Sequence, residues 1–222
     1  MSNCFILLAA GKGKRFKSKT LKQFIYYKNK PLFMHSVDKA IKSNLFKEIV
    51  IVTNNKIKLK NSKIKIIKGG KERYQSSQKA LEFIKNKKFK NVFIHDAARP
   101  NFSINLLKNL KRYLNNNKAV IPYINTYDSA KYINRNKIIN LKREKVLFTQ
   151  TPQCFDFKTL KKYPLSLANK KASKKKIPLR SCLLKPPNRR PSLKWDLILF
   201  ILHRNYFTST FLKSLLLLSL FQ

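Results

Sequence analysis

The chain has 222 residues, 43% of them hydrophobic, which is enough for one α/β domain with a full core and too short for two ordinary domains. Only 4 glycines and 3 cysteines exclude collagen-like proteins and disulfide scaffolds. Lys and Arg number 50 against 9 Asp and Glu, so the formal net charge is +41. Such a charge attracts polyanions, including nucleic acid, anionic lipid and nucleotide phosphates. Abundant Asn, Ile and Phe, whose codons are A/T-rich like those of Lys, also suggest a bias in base composition.

The first two thirds of the chain alternate between apolar strands and helices. In chain order the patterns predict a strand at residues 4–8, a helix at 31–44, strands at 48–53 and 63–67, a helix at 72–85, a strand at 91–94, a helix at 104–114 and a strand at 119–121. This alternation is typical of an α/β protein with a doubly wound, mostly parallel sheet. Residues 131–141 differ, because two short strands flank a polar turn and predict a hairpin arm.

Two glycines among basic residues follow the first predicted strand. The strand leads into Ala9, Ala10 and the sequence GKGKR at residues 11–15. Glycines let backbone N–H groups approach an anion, and Lys and Arg add charge-assisted hydrogen bonds, so this segment suits a phosphate cradle. The spacing matches neither the Walker pattern nor the Rossmann dinucleotide pattern. A basic surface turn after a strand explains the same residues.

A second glycine-containing loop, GGKERYQSS at residues 69–77, lies between a predicted strand and a predicted helix. Glu72 suits the positive N-terminus of that helix. The glycine pair, Gly69 and Gly70, leaves room for a flat base to lie against the backbone. The loop therefore predicts a nucleobase site.

The third loop, HDAARP at residues 95–100, begins where an apolar strand ends. Open α/β sheets place their ligands at the carboxyl ends of parallel strands. Asp96 is therefore a candidate ligand for Mg²⁺ held against phosphate oxygens. A helix cap or a salt bridge to Arg99 is the alternative interpretation of this carboxylate.

The loops together carry more information than each loop alone. LLAAGKGKRF with LKQF downstream, GGKERYQSS, IHDAARP and TPQCF follow one another in that order. In this the chain resembles the 2-C-methyl-D-erythritol 4-phosphate cytidylyltransferases of non-mevalonate isoprenoid synthesis, over about residues 3–157. The resemblance implies a nucleotide-diphospho-sugar transferase-like, Rossmann-like fold, a hairpin arm used for dimerisation, and CTP and 2-C-methyl-D-erythritol 4-phosphate as substrates.

The resemblance also implies roles for individual positions. Arg15 and Lys22 stand where the family places the cations that stabilise the transition state at the α-phosphate of CTP. Asp96 stands at the position for Mg²⁺ or another divalent cation, and Arg143 at that of the arginine which positions the acceptor substrate. The positions around CTP are Ala9, Ala10, Gly11, Gly13, Gly70, Ser76, Ala97, Ala98 and Arg99.

Two departures from the family pattern are local. Leu21 stands where a proline normally precedes Lys22, and Lys71 replaces a common acidic residue beside the base. Nucleotidyl transfer mainly requires positioning and the neutralisation of charge on phosphate oxygens, which two cations and one metal ion provide. The sequence shows no general base near the site. The reaction does not require one, because a phosphate-monoester nucleophile is already anionic.

The C-terminal quarter departs more seriously. We expect residues 1–162 to form the cytidylyltransferase domain, with its arm at about residues 125–147, and residues 163–222 to form an aberrant basic and apolar tail. Eight of the nine acidic residues lie at or before Asp156, and the substrate-lining motifs of the family have no counterpart after Lys162. A frameshift, a pseudogene and a genuine terminus all remain open. We expect residues 165–222 to have little defined packing.

Two further functions stay open besides the enzyme. The first alternative is a catalytically dead relative of the enzyme. The second is a basic protein that binds nucleic acid or a membrane surface. The basic residues do not gather on one element with interleaved aromatics, so we expect no specific nucleic-acid partner. The apolar tail is interrupted by charges and falls short of the ~20 uninterrupted residues of a membrane span.

The cysteines indicate the compartment. Cys4, Cys154 and Cys182 are far apart, with no metal-ligand spacing. The N-terminal basic cluster follows the apolar run, the reverse of a secretory signal. We expect a reduced, cytoplasmic protein that forms a homodimer.

Overall fold

The computed structural model describes residues 2–13, 20–134, 137–162, 183–184 and 198–200. Its strands and helices in chain order are β1 (Asn3–Leu8), β2 (Tyr26–Tyr27), β3 (Lys30–Pro31), α1 (Leu32–Lys42), β4 (Glu48–Thr53), β5 (Ile64–Lys68), α2 (Arg73–Phe83), β6 (Asn91–Asp96), α3 (Ile104–Leu114), β7 (Ala119–Val120), β8 (Pro122–Asn125), β9 (Ala130–Asn134), β10 (Lys137–Leu141), β11 (Leu147–Thr149), β12 (Gln153–Asp156), α4 (Phe157–Lys161), β13 (Leu183–Leu184) and β14 (Ile198–Phe200). Every strand and helix predicted between residues 4 and 121 is present, with ends that differ by at most two residues. The predicted α/β alternation is confirmed.

The central sheet has six strands in the order β5-β4-β1-β6-β12-β7. β1 pairs in parallel with both β4 and β6, and β4 pairs in parallel with β5. β12 is antiparallel to both of its neighbours, β6 and β7. The sheet is therefore mostly parallel, as predicted. The sequence pattern did not predict β12 as a strand, because its residues QCFD contain only two apolar side chains between polar ones.

Both faces of the sheet are covered, which confirms the doubly wound class. Side chains of β1 alternate between the faces: Phe5 and Leu7 pack with α1 and α3, whereas Cys4 and Ile6 pack with α2 and α4. A strand that is buried on both faces needs a continuous apolar run, and NCFILL supplies it. β1 therefore lies at the centre of the fold, and the loop that follows it lies at the centre of one sheet edge.

Two of the described helices, α3 and α4, begin where a polar side chain satisfies a free backbone N–H group. The Ser103 hydroxyl accepts a hydrogen bond from the Leu106 N–H at 3.1 Å, and the Asp156 carboxylate accepts one from the Thr159 N–H at 2.8 Å. Such caps satisfy donors that the helix itself leaves unpaired. They set the starts of α3 and α4, which pack on opposite faces of the sheet.

β9 and β10 form the predicted hairpin, paired from Ala130 with Leu141 to Asn134 with Lys137. The described side chains on both strands are largely exposed. The strands beside the hairpin form a second sheet in the order β11-β8-β14-β13. β13 and β14 come from the predicted tail, most of which lies outside the described residues, so its packing stays a prediction.

Burial in the sheet can be tested with two isoleucines that are paired across β4 and β5. Ile51 is 0% exposed and its partner Ile66 is 40% exposed. We expect Ile51→Ala to lower the free energy of unfolding by about 2–5 kcal/mol, the usual cost of deleting a buried aliphatic side chain. Ile66→Ala should cost less than half as much. Urea unfolding of both variants measures the difference, and equal losses would contradict the described burial.

Candidate active site at the carboxyl edge of the sheet

Three loops meet at the carboxyl edge of the parallel strands. They are the first loop (residues 9–13) after β1, the second loop (residues 69–72) before α2, and the third loop (residues 96–101) at the end of β6. The Ala97 N–H donates a hydrogen bond to the Leu8 carbonyl at 3.0 Å, which joins the first and third loops. Arg73 Nε donates to Asp96 Oδ1 at 2.9 Å, which joins the second and third loops. The predicted nucleotide loops therefore form one continuous site.

The first and second loops touch without room for a side chain between them. A Cβ atom on Gly69 would overlap the Cβ of Ala10 and lie 3.2 Å from Ser76 Oγ. A Cβ atom on Gly70 would overlap the Cβ of Gln75. Both positions of the pair therefore require glycine. For Gly69 the reason is the close approach of the first loop.

Gln23 anchors the backbone of the first loop. Its buried side-chain amide donates two hydrogen bonds of 2.9 Å, one to the Ala9 carbonyl and one to the Gly11 carbonyl. Within the described part of the chain, the amides of residues 10–13 donate no hydrogen bond to the protein. Gly13 has a φ of 57°, a conformation that glycine adopts readily. The loop thus fixes its carbonyls and leaves N–H donors for an anion, as a phosphate cradle requires.

The structure describes Lys22 but not Arg15, the other predicted transition-state cation. Lys22 is exposed in a 3₁₀ turn (Lys22–Phe24), directly before Gln23, so the anchor of the first loop also fixes the backbone of this lysine. Arg15 lies in residues 14–19, outside the described residues. Its role stays a prediction.

Side chains outside the predicted motif secure the second loop. The Gly69 N–H donates to Asn54 Oδ1 at 3.1 Å, and Lys79 Nζ donates to the Gly69 carbonyl at 3.0 Å. Ser76 is buried and its Oγ accepts the Gly70 N–H at 3.0 Å. Ser76, predicted to contact the base, therefore also shapes the loop.

The third loop is closed by His95, which is fully buried. Its Nε2 lies 3.0 Å from the Arg99 carbonyl and its Nδ1 lies 2.8 Å from Thr151 Oγ1. A carbonyl only accepts, so Nε2 carries the proton and Nδ1 accepts the Thr151 hydroxyl. The Asp96 N–H donates to the same hydroxyl oxygen at 3.4 Å. This chain of bonds fixes the backbone on both sides of Asp96.

Burial lowers the pKa of His95 to about 4, although the nearby Asp96 carboxylate acts in the opposite direction. The imidazole is therefore neutral near pH 7, as its bond to the Arg99 carbonyl and its bond from Thr151 require. The TPQCF segment thus acts through Thr151, which supports the third loop. Gln150 adds a second support, since its Oε1 accepts a 3.0 Å hydrogen bond from Arg99 Nη1.

Asp96 lies between two guanidinium groups. Arg73 bonds to its Oδ1, and Arg99 Nε lies 3.6 Å from its Oδ2. Burial would raise the pKa of Asp96, but Arg73 together with His95 and Arg99 lowers it below the usual value. The salt bridge to Arg99, which the sequence left open as an alternative, is therefore present. The stronger bond, from Arg73, was not predicted.

A magnesium ion fits this site only together with a bound ligand that supplies further oxygen atoms. Among the described residues no cluster of three or more His, Cys, Asp or Glu side chains could hold a metal, so Asp96 is not part of an all-protein metal cage. Mg²⁺ is commonly held by one or two carboxylates together with substrate phosphates and water. Asp96 at the edge of the first and second loops matches that pattern. The phosphates of a nucleotide would complete the coordination.

Arg143 is not joined to the three loops by any described bond. It opens a 3₁₀ turn (Arg143–Lys145) after the hairpin, is exposed, and its Nε bonds to Glu144 Oε1 at 3.2 Å. In the described part of the chain it has no hydrogen bond or ion pair with the first, second or third loop. The contacts described above therefore join the loops that carry the predicted CTP and metal positions, and none of them includes Arg143.

Sequence reasoning missed three residues that hold the site together. Gln23 and Arg73 lie inside quoted motifs, LKQF and GGKERYQSS, but had no assigned role. No sequence signal marked Gln23, because its contact with the first loop spans 12 to 14 residues and its burial is seen only in the structure. Asn54, the polar residue that follows β4, could have been found from its place at the carboxyl end of a strand.

The family model described as "IspD: 2-C-methyl-D-erythritol 4-phosphate cytidylyltransferase" matches residues 3–175. The chain is 52% identical over 165 residues to the bifunctional enzyme IspD/IspF of Pelagibacter ubique, covering 72% of this chain and 44% of that enzyme. It is 37% identical over 167 residues to the 2-C-methyl-D-erythritol 4-phosphate cytidylyltransferase of Clostridium botulinum, covering 70% of this chain and 72% of that protein. The family match thus continues beyond residue 157, where the quoted motifs end.

Solved structures show the same relationship. The bifunctional IspDF of Campylobacter jejuni aligns with a TM-score of 0.64 at 33% identity, over 73% of this chain and 42% of that one. The cytidylyltransferase IspD of Francisella tularensis aligns with a TM-score of 0.63 at 29% identity, over 73% and 76%. The chain spans less than half the length of the two bifunctional relatives and about three quarters of the length of the single-function ones.

The buried, neutral His95 makes stability depend on pH. Between pH 7 and pH 5 the unfolded chain binds a proton at this histidine and the folded chain does not, so acid favours unfolding and the free energy of unfolding should fall by about 2 kcal/mol. In His95→Gln this contribution should disappear, leaving a flatter profile. Urea unfolding at both pH values measures it. An identical pH slope in the variant would contradict the assignment.

Proposed function

The chain belongs to the 2-C-methyl-D-erythritol 4-phosphate cytidylyltransferases, and from this premise we propose that it transfers CMP from CTP to 2-C-methyl-D-erythritol 4-phosphate. Enzymes of this family are nucleotidyltransferases of the non-mevalonate isoprenoid pathway. The products are 4-diphosphocytidyl-2-C-methyl-D-erythritol and pyrophosphate. The observation that carries the proposal is the contact between the three loops, which places N–H donors, a glycine pair and the Asp96 carboxylate at one sheet edge.

The first loop would hold the triphosphate of CTP. The free amides of Ala10 and Gly11 can donate to phosphate oxygens, and Gly13 allows the turn that keeps the chain close. Lys22 and Arg15 would neutralise the charge that develops at the α-phosphate as the acceptor oxygen bonds to phosphorus and the bond to pyrophosphate breaks. Fixed cations at that point lower the barrier because they need no reorganisation.

The second and third loops would hold the cytosine and the ribose. Ser76 Oγ accepts the Gly70 N–H, so its own proton remains available to an acceptor on the pyrimidine ring. Gly70 keeps the backbone open to a flat ring. The third loop adds Ala97, Ala98 and Arg99, whose backbone the His95 hydrogen bonds hold in place. The predicted preference is for CTP over the larger purine nucleotides.

A divalent cation would bind between Asp96 and the phosphates. Mg²⁺ bound there would neutralise phosphate charge and orient the triphosphate for in-line attack. The protein's contribution is the position of the carboxylate, which Thr151, Arg73 and Arg99 determine. No described side chain is required as a general base, because the attacking phosphate oxygen is already ionised near neutral pH.

We propose a homodimer formed through the hairpin arm. Ile133 and Ile138 are paired across its two strands and are 70% and 67% exposed, and the neighbouring pair Tyr132 and Ile139 is also exposed. A two-stranded ribbon with apolar side chains on both faces is marginally stable alone, so it needs a partner surface. Arg143, which among the described residues forms no hydrogen bond or ion pair with the three loops, would then serve the acceptor site in the dimer.

The proposal also covers residues 163–222, which follow the domain. Residues 163–222 would form an aberrant tail that lacks the family's second acceptor-positioning cation, so turnover should be slow even where CTP binds well. No described helix reaches the length and apolar character of a membrane span.

The buried thiols of Cys4 and Cys154 form no disulfide, which suits the reducing cytoplasm in which we propose that the protein acts.

The net charge of +41 favours a second candidate function, a basic protein that binds RNA or an anionic membrane. Salt separates the two candidates, since binding through about six phosphate contacts weakens roughly a thousandfold between 50 and 200 mM salt. RNA binding with that dependence, in a protein that does not bind CTP, would replace the enzyme proposal.

Titration calorimetry with CTP tests the nucleotide site. In the presence of Mg²⁺, Asp96→Asn should weaken CTP binding by about 1.5–3 kcal/mol, the usual value of a lost charged contact. In EDTA the difference should vanish, because the carboxylate then has no metal to hold. Asp38→Asn, which removes the same charge on α1 beside Lys30, is the matched control and should bind like the wild type.

Two outcomes of this titration would refute parts of the proposal. Equal affinity for CTP and ATP would remove the cytosine assignment of Gly70 and Ser76. A loss in Asp96→Asn that persists in EDTA would show that the carboxylate acts without a metal.

Sedimentation velocity tests the arm. The wild type should sediment as a dimer at micromolar concentration. Replacing Ile133 and Ile138 together by Lys should weaken dimerisation roughly a hundredfold or more, because burying a charge in an apolar interface costs several kcal/mol. Tyr26→Lys alters an equally exposed apolar side chain outside the arm and should leave the dimer intact. A monomeric wild type would refute the proposal.

A further inference from the structure

Arg73 is held between two parts of the site. It is the first residue of α2, directly after the second loop, and its side chain is only 13% exposed. Nε donates to Asp96 Oδ1 at 2.9 Å, across to the third loop. The guanidinium therefore lies against the carboxylate that would hold the metal ion.

The rest of the guanidinium has no described acceptor. Nη1 and Nη2 are both buried and, in the part of the chain that the structure describes, neither forms a hydrogen bond. Leaving charged donors buried without acceptors is costly. The single bond to Asp96 does not account for that cost. Buried charged donors of this kind, next to the carboxylate of Asp96, indicate that an anion completes the site.

The charges around Asp96 oppose binding of a bare metal ion. Arg73 takes Oδ1 and Arg99 lies 3.6 Å from Oδ2, so both carboxylate oxygens already face cations. A divalent ion must displace one guanidinium and remain close to the other. A nucleotide brings phosphate charge that offsets this repulsion and can accept the hydrogen bonds of the displaced group.

We propose that Arg73 is a positioning residue that occupies the cation position at Asp96 until a divalent ion arrives with its nucleotide, and that Nη1 and Nη2 then donate to the nucleotide's anionic oxygens. The inference rests on the proposed function for the identity of the nucleotide. It makes metal binding depend on nucleotide binding. It also gives Arg73 opposite effects on the two ligands.

The first measurement uses Mn²⁺ without nucleotide, followed by the electron paramagnetic resonance signal of the free ion. Arg73→Gln and Arg73→Met remove the competing charge and should tighten Mn²⁺ binding about tenfold, the equivalent of one charge-assisted hydrogen bond. Arg73→Lys keeps the charge and should bind Mn²⁺ like the wild type. Arg112→Gln removes an exposed arginine on α3 and is the control for net charge. Adding Asp96→Asn to Arg73→Gln should abolish the gain.

The second measurement titrates CTP in the presence of Mg²⁺. Arg73→Gln should bind CTP at least about tenfold more weakly, because the donors to the nucleotide are lost. A residue that only anchors α2 to the third loop would lower both affinities or neither. Thermal melting verifies that each variant is folded, and Arg73→Met carries the test if Arg73→Gln is not.

The outcomes separate this inference from the function on which it rests. Mn²⁺ binding that is unchanged or weaker in both folded, uncharged variants overturns the inference. A wild type that binds no CTP overturns the proposed function, while the Mn²⁺ titration still decides whether Arg73 holds the cation position. Tighter Mn²⁺ binding together with weaker CTP binding supports both.

Discussion

The site depends on the close approach of the Ala10 methyl group, in the first loop, to the backbone of Gly69, in the second. No further Cβ atom fits at this contact, so the second loop can lie against the first only because residue 69 is glycine. Gln23 fixes the first loop on one side of this contact, and Asn54 and Lys79 fix the second loop on the other. The contact joins two separate loops into one candidate site.

Electrostatics sets the properties of the third loop. Burial keeps His95 neutral, and its two ring nitrogens form hydrogen bonds with the Arg99 carbonyl and the Thr151 hydroxyl. His95 therefore shapes the loop without adding charge. Asp96 keeps its charge because Arg73 and Arg99 face it. The same two cations face both oxygens of this carboxylate, so the charge of Asp96 is already balanced within the protein.

Much of the fold followed from the sequence, because the central strands are buried on both faces and so contain short apolar runs, CFILL in β1 and IVIV in β4. β12 was not predicted, since its sequence QCFD has polar residues at both ends and its place between β6 and β7 is set by long-range pairing. The motifs located the three loops. They did not reveal which side chains join them: the bond from Arg73 to Asp96 spans 23 residues of sequence, and that from Thr151 to His95 spans 56. Arg143 was identified only through the resemblance, and among the described residues no hydrogen bond or ion pair joins it to the loops.

The most direct test of the account is the CTP affinity of Gly69→Ala, measured in the presence of Mg²⁺ on protein shown by thermal melting to be folded. The added methyl group should push the second loop away from Ala10 and weaken CTP binding at least about tenfold, since sites of this kind tolerate displacements of well under 1 Å. Ala10→Gly in the same chain removes the atom that the methyl group meets and should restore much of the affinity. Gly69→Ala with the affinity of the wild type, or a loss that Ala10→Gly leaves unchanged, would contradict the claim that this contact builds the site.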